Sequence, residues 1–157
     1  FIRYIAEKCR TTRQALNVFN KIPCAIPKNF LIADANGNLA VVEHSSHSYA
    51  VVKPDAGNVL VKTNHILSPK LIAQDKLLTH NDRTTSFVRH TEARYLISKQ
   101  LPNYNFTDTA KILRNSHYVY NQETIWSLAL ELSEQRFNLY YDTAMGQKQK
   151  KFSFSNE

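Results

Sequence analysis

Thr63-Asn64-His65 is the stretch in which this sequence concentrates side chains that could do chemistry. The string follows the β-rich run at 59–62, so its polar groups lie where a predicted strand ends and a pocket could form. An asparagine amide offers both a donor and an acceptor, which suits the binding of an amide substrate or of a developing oxyanion. Asparagine is also a common turn former, and the residues alone leave both roles open.

Two arginines could assist such a site. Arg89 and Arg94 lie in the segment 84–99, whose aromatic and apolar residues recur at helical spacing. A guanidinium that faces inward can orient a carboxylate or lower the pKa of a thiol. On the outer side of a helix the same group is an ordinary surface charge, and the spacing does not decide between the two.

Other reactive groups are weaker candidates. His44 and His47 are spaced as loop metal ligands could be, but no cluster of further ligands accompanies them, so we expect exposed histidines and no metal or other cofactor. Asp34 and Glu43 are expected to face each other across a hairpin, where solvated charges are more common than catalytic carboxylates. Cys24 has no paired histidine in sequence range, which does not favour a nucleophilic role.

The composition indicates one folded domain over residues 1–157. Hydrophobic residues make up 43 % of the chain, which is enough for a packed core. The formal net charge is +7, and several lysines cluster near the C-terminus. We interpret this charge as a solvated surface with a basic, partly frayed tail at about 142–157, and not as a nucleic-acid site. No apolar run is long enough to span a bilayer.

The order of the predicted elements indicates an α+β fold with an antiparallel sheet and flanking helices. Asn36-Gly37 between two apolar runs predicts a hairpin in which both turn residues have positive φ. Thr11 and Gln14 have the spacing of a helix capping box. Helices are predicted at 1–8, at 12–22, at 84–99 and, capped by Thr107 or Asp108, up to 113; strands are predicted at 30–34, 39–43, 49–53, 59–62, 124–132 and 136–141.

Several of these strings, in this order, resemble a known family. Asn29 to Gly37 followed by Ala40 to Glu43 is similar to that family's strand ending in Asp, small-residue turn and strand ending in Val-Glu. The family is the N-terminal-nucleophile hydrolases that act on linear amides, among them penicillin V acylase, bile salt hydrolase and the acyl-coenzyme A:6-aminopenicillanic acid acyltransferase group. The acyltransferase group matches best, through Thr63-Asn64-His65 and Thr124-Ile125-Trp126-Ser127, and the resemblance covers about residues 2–141.

The resemblance implies a four-layer αββα sandwich and a small-molecule amide or acyl substrate. In this family an N-terminal cysteine is the nucleophile, and its α-amino group is the base because that group titrates near neutral pH. The active-site asparagine of the family corresponds to Asn64, and Thr63 and His65 beside it are expected to bind substrate. A helix arginine near the nucleophile corresponds to Arg94, with Arg89 as the competing position.

The chain departs from the family pattern at its start. The nucleophilic cysteine and its companions belong to the family's N-terminal part, and Phe1 has no nucleophilic atom. We therefore expect the C-terminal portion of such an enzyme, inactive alone, with an apolar sheet face that the missing half, a second chain or another copy covers. The alternative is a catalytically silent module that binds a partner through its basic surface. The compartment stays open, with the cytoplasm slightly favoured, since a chain that starts at Phe1 says nothing about a signal peptide.

Overall fold

The computed structural model describes residues 1–22, 26–45, 48–75, 82–115, 119–120, 124–143 and 146–154 of the chain. These residues form four α-helices and two three-stranded antiparallel sheets, so the predicted α+β class is confirmed. None of the helices among them is long and apolar enough to cross a membrane.

The chain divides into two compact units, Phe1–Phe87 and Val88–Glu157. The helices are α1 (Ile2–Lys8), α2 (Thr12–Phe19), α3 (Asp82–Gln100) and α4 (Phe106–Asn115), with a short 3-10 helix at Ile72–Gln74. The strands are β1 (Lys28–Ala33), β2 (Leu39–His44), β3 (Tyr49–Val52), β4 (Trp126–Glu131), β5 (Arg136–Thr143) and β6 (Gly146–Ser153).

Helix α2 covers one face of the first sheet. It begins at the predicted capping box, in which the Gln14 N–H donates to the Thr11 hydroxyl and the Thr11 N–H donates to the Gln14 side chain, both at 3.2 Å. Phe19 packs edge-on against Phe30 of β1, with 5.1 Å between the ring centroids. Ile22, which was predicted to continue the apolar stripe, lies beyond the end of the helix and is 38 % exposed. The proline that follows Ile22 in the sequence disfavours helical backbone at Ile22.

Strand β2 is the middle strand of the first sheet and carries its core. The four residues from Ala40 to Glu43 are all buried. Side chains alternate along a strand, so Val42, whose register partner is Phe30, faces α2, while Glu43, whose partner is Asn29, faces the segment 62–68. The central strand therefore connects the helix layer to the segment that carries Asn64.

Asp34 joins the start of α2 to the turn between β1 and β2. Its buried carboxylate accepts the N–H of Thr12 at 2.8 Å and the N–H groups of Asn36 and Asn38 at 3.0 and 3.2 Å. Donation from the Thr12 N–H is the main reason why the pKa of Asp34 falls to about 2. The predicted two-residue turn is wrong, since Gly37 has a φ of 78° while Asn36 has no positive φ; the Asp34 side chain supports a longer turn.

Because the pKa of Asp34 is lower in the folded chain than the usual value of about 3.9, its contribution to stability is present above pH ~4 and is lost as the pH falls towards ~2. Near neutral pH, we expect the urea midpoint of the wild type to be higher than that of Asp34→Asn. The difference between the two midpoints should shrink steadily as the pH falls from ~4 to ~2. Asp55→Asn, which removes an exposed turn carboxylate, is the matched control. A difference that stays constant from neutral pH to pH ~2 would contradict this assignment.

The predicted strand at 59–62 does not form. The turn before it is present, since the Asp55 N–H donates to the Val59 carbonyl at 3.0 Å and Asn58 has a φ of 55°. Strand β3 ends at Val52, shortly before Pro54, and a proline cannot continue a ladder because it lacks an N–H. The chain after this turn is held by side-chain hydrogen bonds instead.

In the second unit, α4 packs on β4. The helix is capped by Asn105, whose side chain accepts the Thr107 N–H at 2.9 Å, so the predicted cap at Thr107 or Asp108 is wrong. Asp108 lies in the first turn and accepts the Asn105 N–H at 3.2 Å, which completes a reciprocal cap. Asparagine is among the best N-cap residues, and the helix consequently begins earlier than predicted.

The predicted strands at 124–132 and 136–141 are confirmed as β4 and β5. Strand β6 pairs with β5 and lies within the segment 142–157, which was predicted to be a partly frayed tail. Ser127 and Ala129 are buried on the α4 side, where the Ser127 hydroxyl donates to the Leu113 carbonyl. The opposite face presents Trp126, 60 % exposed, and Leu130, 54 % exposed. Within the described residues, this second sheet therefore has one covered face and one exposed apolar face.

Candidate functional site

Asn64 lines a cleft of about 500 Å³ in the first unit, together with Asn29, His44 and Asp75. Asn64 is exposed, so a small ligand in the cleft can reach it. The described part of the lining includes the amide residues Asn29 and Asn64 and has no cysteine, while Asp75 accepts the Ile66 N–H at 2.8 Å. These groups can hold an amide by hydrogen bonds.

Ser86, at the start of α3, fixes the backbone that carries Asn64. Its completely buried hydroxyl accepts the N–H groups of Asn64 and His65, both at 3.0 Å. The same hydroxyl lies 3.1 Å from the Thr63 hydroxyl and 2.9 Å from Nδ1 of His65. On the other side, the Asn29 amide donates to the Asn64 carbonyl at 3.2 Å. A single serine thus holds three consecutive residues without a strand ladder.

A buried ion pair supports the same turn. Nζ of Lys62 lies 2.6 Å from Oε1 of Glu43, and the two side chains are only 5 % and 1 % exposed. The Lys62 ammonium also donates to the His65 carbonyl. Glu43 accepts the N–H groups of Leu67 and Ser68 at 2.6 and 2.8 Å. The charges are therefore paired and hydrogen-bonded, as buried charges must be.

Thr63 and His65, which the sequence predicts to bind substrate, lie on the inner side of this turn. The Thr63 hydroxyl donates to the Ser86 carbonyl at 3.0 Å. The His65 ring is 1 % exposed and stacks on Phe87 with 3.8 Å between centroids. Their observed contacts hold the turn that presents Asn64, and contact of either residue with a substrate stays a prediction.

Arg89 and Arg94 both lie on α3, as predicted, but on different sides of it. Five residues correspond to about 140° around a helix. Arg89 is half-buried and shares a stripe with the half-buried Ala93 and Leu96, whereas Arg94 is exposed. The assignment of an active-site role to either arginine stays a prediction.

The expected pairing of Asp34 with Glu43 across the hairpin is wrong. The register pairs Glu43 with Asn29, and Asp34 lies beyond the end of β1. Each carboxylate is buried and accepts backbone N–H groups, Asp34 from α2 and Glu43 from Leu67 and Ser68. Both residues have a structural role, because their carboxylate oxygens already accept hydrogen bonds from backbone N–H groups.

His44 packs against aromatic rings in the first unit. Its ring lies parallel to that of Tyr49, 6.2 Å between centroids, and 6.4 Å from Phe19. No group of three potential metal ligands occurs within the described residues. His47 and Cys24, the other weak candidates of the sequence, lie outside the described residues.

Sequence reasoning missed Ser86 and Lys62. A serine in a helix and a lysine in an apolar run carry no motif, because their importance comes from contacts with residues distant in sequence. The one available signal was Glu43 within an otherwise apolar run, since a buried carboxylate requires a cation or several N–H donors.

Comparison with known proteins identifies the family. A search of curated proteins and a search of solved structures each found no match. The family model for acyl-coenzyme A:6-aminopenicillanic acid acyl-transferase matches residues 1–144, most of the chain, which confirms the predicted resemblance. The chain belongs to the acyl-coenzyme A:6-aminopenicillanic acid acyl-transferase family.

Proposed function

We propose that this chain supplies the amide-binding part of an enzyme that hydrolyses linear C–N amides or transfers their acyl groups. The nucleophile in this proposal is an N-terminal cysteine outside these 157 residues. Its thiolate attacks the amide carbonyl after its own α-amino group has taken the thiol proton. The α-ammonium group then gives that proton to the leaving amine as the C–N bond of the tetrahedral intermediate breaks, which leaves a thioester that water or an acceptor amine attacks.

The observation that carries the proposal is the position of Asn64 at the cleft. Its backbone N–H and carbonyl are held by Ser86 and Asn29, and the residue is exposed and lines the cleft. From this fixed backbone the side-chain amide of Asn64 can donate to a substrate carbonyl oxygen on which negative charge develops. Thr63 and His65 act in this proposal as positioning residues, through their contacts with Ser86.

Arg89 and Arg94 of α3 both stay candidates for the cation that assists the cysteine, and Arg89 is the more buried of the two. A half-buried guanidinium acts through less water than an exposed one, and therefore favours a thiolate or a carboxylate more strongly. The exposed apolar face of the second sheet supports the existence of a further covering segment. In this proposal, the cysteine-bearing part of the same protein packs on that face.

The chain alone should not turn over substrate. We expect incubation with acyl-amino-acid amides and with penicillin V to release no amine above the buffer rate, measured by derivatisation of the free amine. The same assay on a protein that also carries the N-terminal cysteine is expected to show release. Cys9→Ala and Cys24→Ala are the matched variants of the chain alone, because these are its two thiols.

Turnover by the chain alone would contradict the proposal. Loss of that turnover in Cys24→Ala would place the nucleophile within the chain, and turnover that survives both substitutions would exclude a cysteine mechanism. Absence of release from the cysteine-bearing protein as well would favour the alternative, a silent module that binds a partner through its basic surface. The exposed lysines of β6 are the observation in favour of that alternative.

A further inference from the structure

A second cleft, in the second unit, has the composition of an anion site. It has a volume of about 330 Å³ and lies between α4 and the hairpin of β5 and β6. None of the described lining residues is a carboxylate, but Asp142, on the same face of β5 as Tyr140, lies 3.7 Å from Nη2 of Arg114. The groups that border it are mostly hydrogen-bond donors or hydroxyls, from Thr107, Lys111, Arg114, Tyr140, Gln147 and Gln149.

Arg114 is the buried cation of this cleft. Its side chain is only 8 % exposed, and its guanidinium carbon lies 5.0 Å from the centre of the Tyr140 ring and 5.6 Å from that of Tyr120. Two aromatic rings therefore hold the planar group in place. Arginine in such a position presents donors in a fixed fork that matches the oxygens of a phosphate or a carboxylate.

One nitrogen of Arg114 lacks a hydrogen-bond acceptor among the described residues, although the guanidinium forms an ion pair with Asp142. Its buried Nε has no acceptor there, and its Nη2 lies 3.7 Å from Oδ1 of Asp142, beyond hydrogen-bond distance. The other oxygen of Asp142 accepts the Tyr120 hydroxyl. Buried polar groups are normally satisfied, so the buried Nε without an acceptor indicates a place for a ligand.

Lys111 is the second cation that can reach the cleft. It lies one turn before Arg114 on α4 and is 64 % exposed, with Asp108 at 3.1 Å. Lys148 also borders the cleft, but the register pairs it with Tyr141, on the opposite face from Tyr140. Its side chain is therefore not counted as a ligand.

We propose that this cleft binds the oxyanion group of a small ligand, a phosphate or a carboxylate, through Arg114 and Lys111. The site is independent of the Asn64 cleft and of the proposed amide chemistry, because all its groups belong to the second unit. Arg114 presents N–H donors in a fixed arrangement, and Lys111 adds a positive charge at the edge of the cleft.

The test is a titration of the ¹⁵N-labelled chain followed by two-dimensional NMR. Inorganic phosphate and acetate are added in separate arms, with sodium chloride at matched ionic strength as the reference. We expect saturable shifts at 110–114 and 147–149 in at least one oxyanion arm and none with chloride. The stronger arm identifies the ligand group as phosphate or carboxylate.

Variants locate the binding. Arg114→Gln is expected to weaken the apparent affinity about tenfold or more, because it removes charge-assisted hydrogen bonds. Lys111→Gln is expected to weaken it by about two- to fivefold, as loss of an exposed charge does. Lys150→Gln removes an exposed charge from β6 on the opposite face and should change nothing.

Equal, unsaturable shifts with chloride and with both oxyanions would overturn the proposal. So would an affinity that falls as much in Lys150→Gln as in Lys111→Gln. If Arg114→Gln does not fold, the melting temperatures of the wild type and of Lys111→Gln test the proposal. The oxyanion should raise the melting temperature of the wild type above that in the chloride control, and should raise that of Lys111→Gln by less. An equal rise in both proteins would also overturn it.

Discussion

Replacement of Glu43 by glutamine is expected to lower the free energy of unfolding by about 3–5 kcal/mol. The carboxylate is 1 % exposed, is paired with Lys62 at 2.6 Å, and accepts the N–H groups of Leu67 and Ser68. A glutamine has no charge to offset the buried ammonium, and its amide cannot accept all these donors. Urea denaturation followed by circular dichroism measures the loss.

The exposed pair Arg3–Glu7 is the matched control, because its side chains are 89 % and 51 % exposed at the same 2.6 Å separation. Glu7→Gln should cost less than about 0.5 kcal/mol. In a double variant, Glu43→Gln with Lys62→Met, part of the loss should return because the unpaired buried charge is gone. A loss for Glu43→Gln as small as that for Glu7→Gln would show that the buried pair does not hold the segment 62–68.

Replacement of Asn64 by alanine is expected to lower kcat of the cysteine-bearing protein by about 10²- to 10³-fold, as loss of one oxyanion donor does. KM should change much less, since the hydrogen bond strengthens as charge develops on the carbonyl oxygen. The contacts of Asn64 with Ser86 and Asn29 use its backbone, so they remain in the variant. Steady-state kinetics with one amide substrate measures both constants.

Asn103→Ala, at an exposed position in the turn between α3 and α4, is the control and should keep wild-type kcat. Asn64→Asp should lose at least as much activity as Asn64→Ala, because a carboxylate repels the oxyanion instead of donating to it. If Asn64→Ala keeps kcat within about threefold while the N-terminal cysteine remains essential, the nucleophile assignment stands and the oxyanion role of Asn64 does not.

Much of the secondary structure follows from local rules. The Thr11–Gln14 capping box, the helix at 84–99 and the hairpin of β4 and β5 form where they are predicted. Caps and turns are satisfied within a few residues, and apolar periodicity reports a buried face directly. The same rules failed at 59–62, where β-rich residues follow Pro54 and form no ladder with the strands of the described residues.

The site depended on contacts that no local pattern encodes. The Thr63-Asn64-His65 string and the order of motifs around it were enough to predict the family, which the family model confirms over residues 1–144. Local residues could not predict that Ser86 holds this string, that the buried Lys62–Glu43 pair supports it, or that Asp34 caps α2 instead of facing Glu43.

The sequence by itself therefore determined the fold class and the family, and it predicted Asn64 as the site asparagine. Only the tertiary structure decided what Asn64 rests on and which of the two α3 arginines is the more buried. The physical reason is that burial and hydrogen-bond partners are properties of segments distant in sequence. The free energy of a charge or an amide depends on those surroundings far more than on its immediate neighbours.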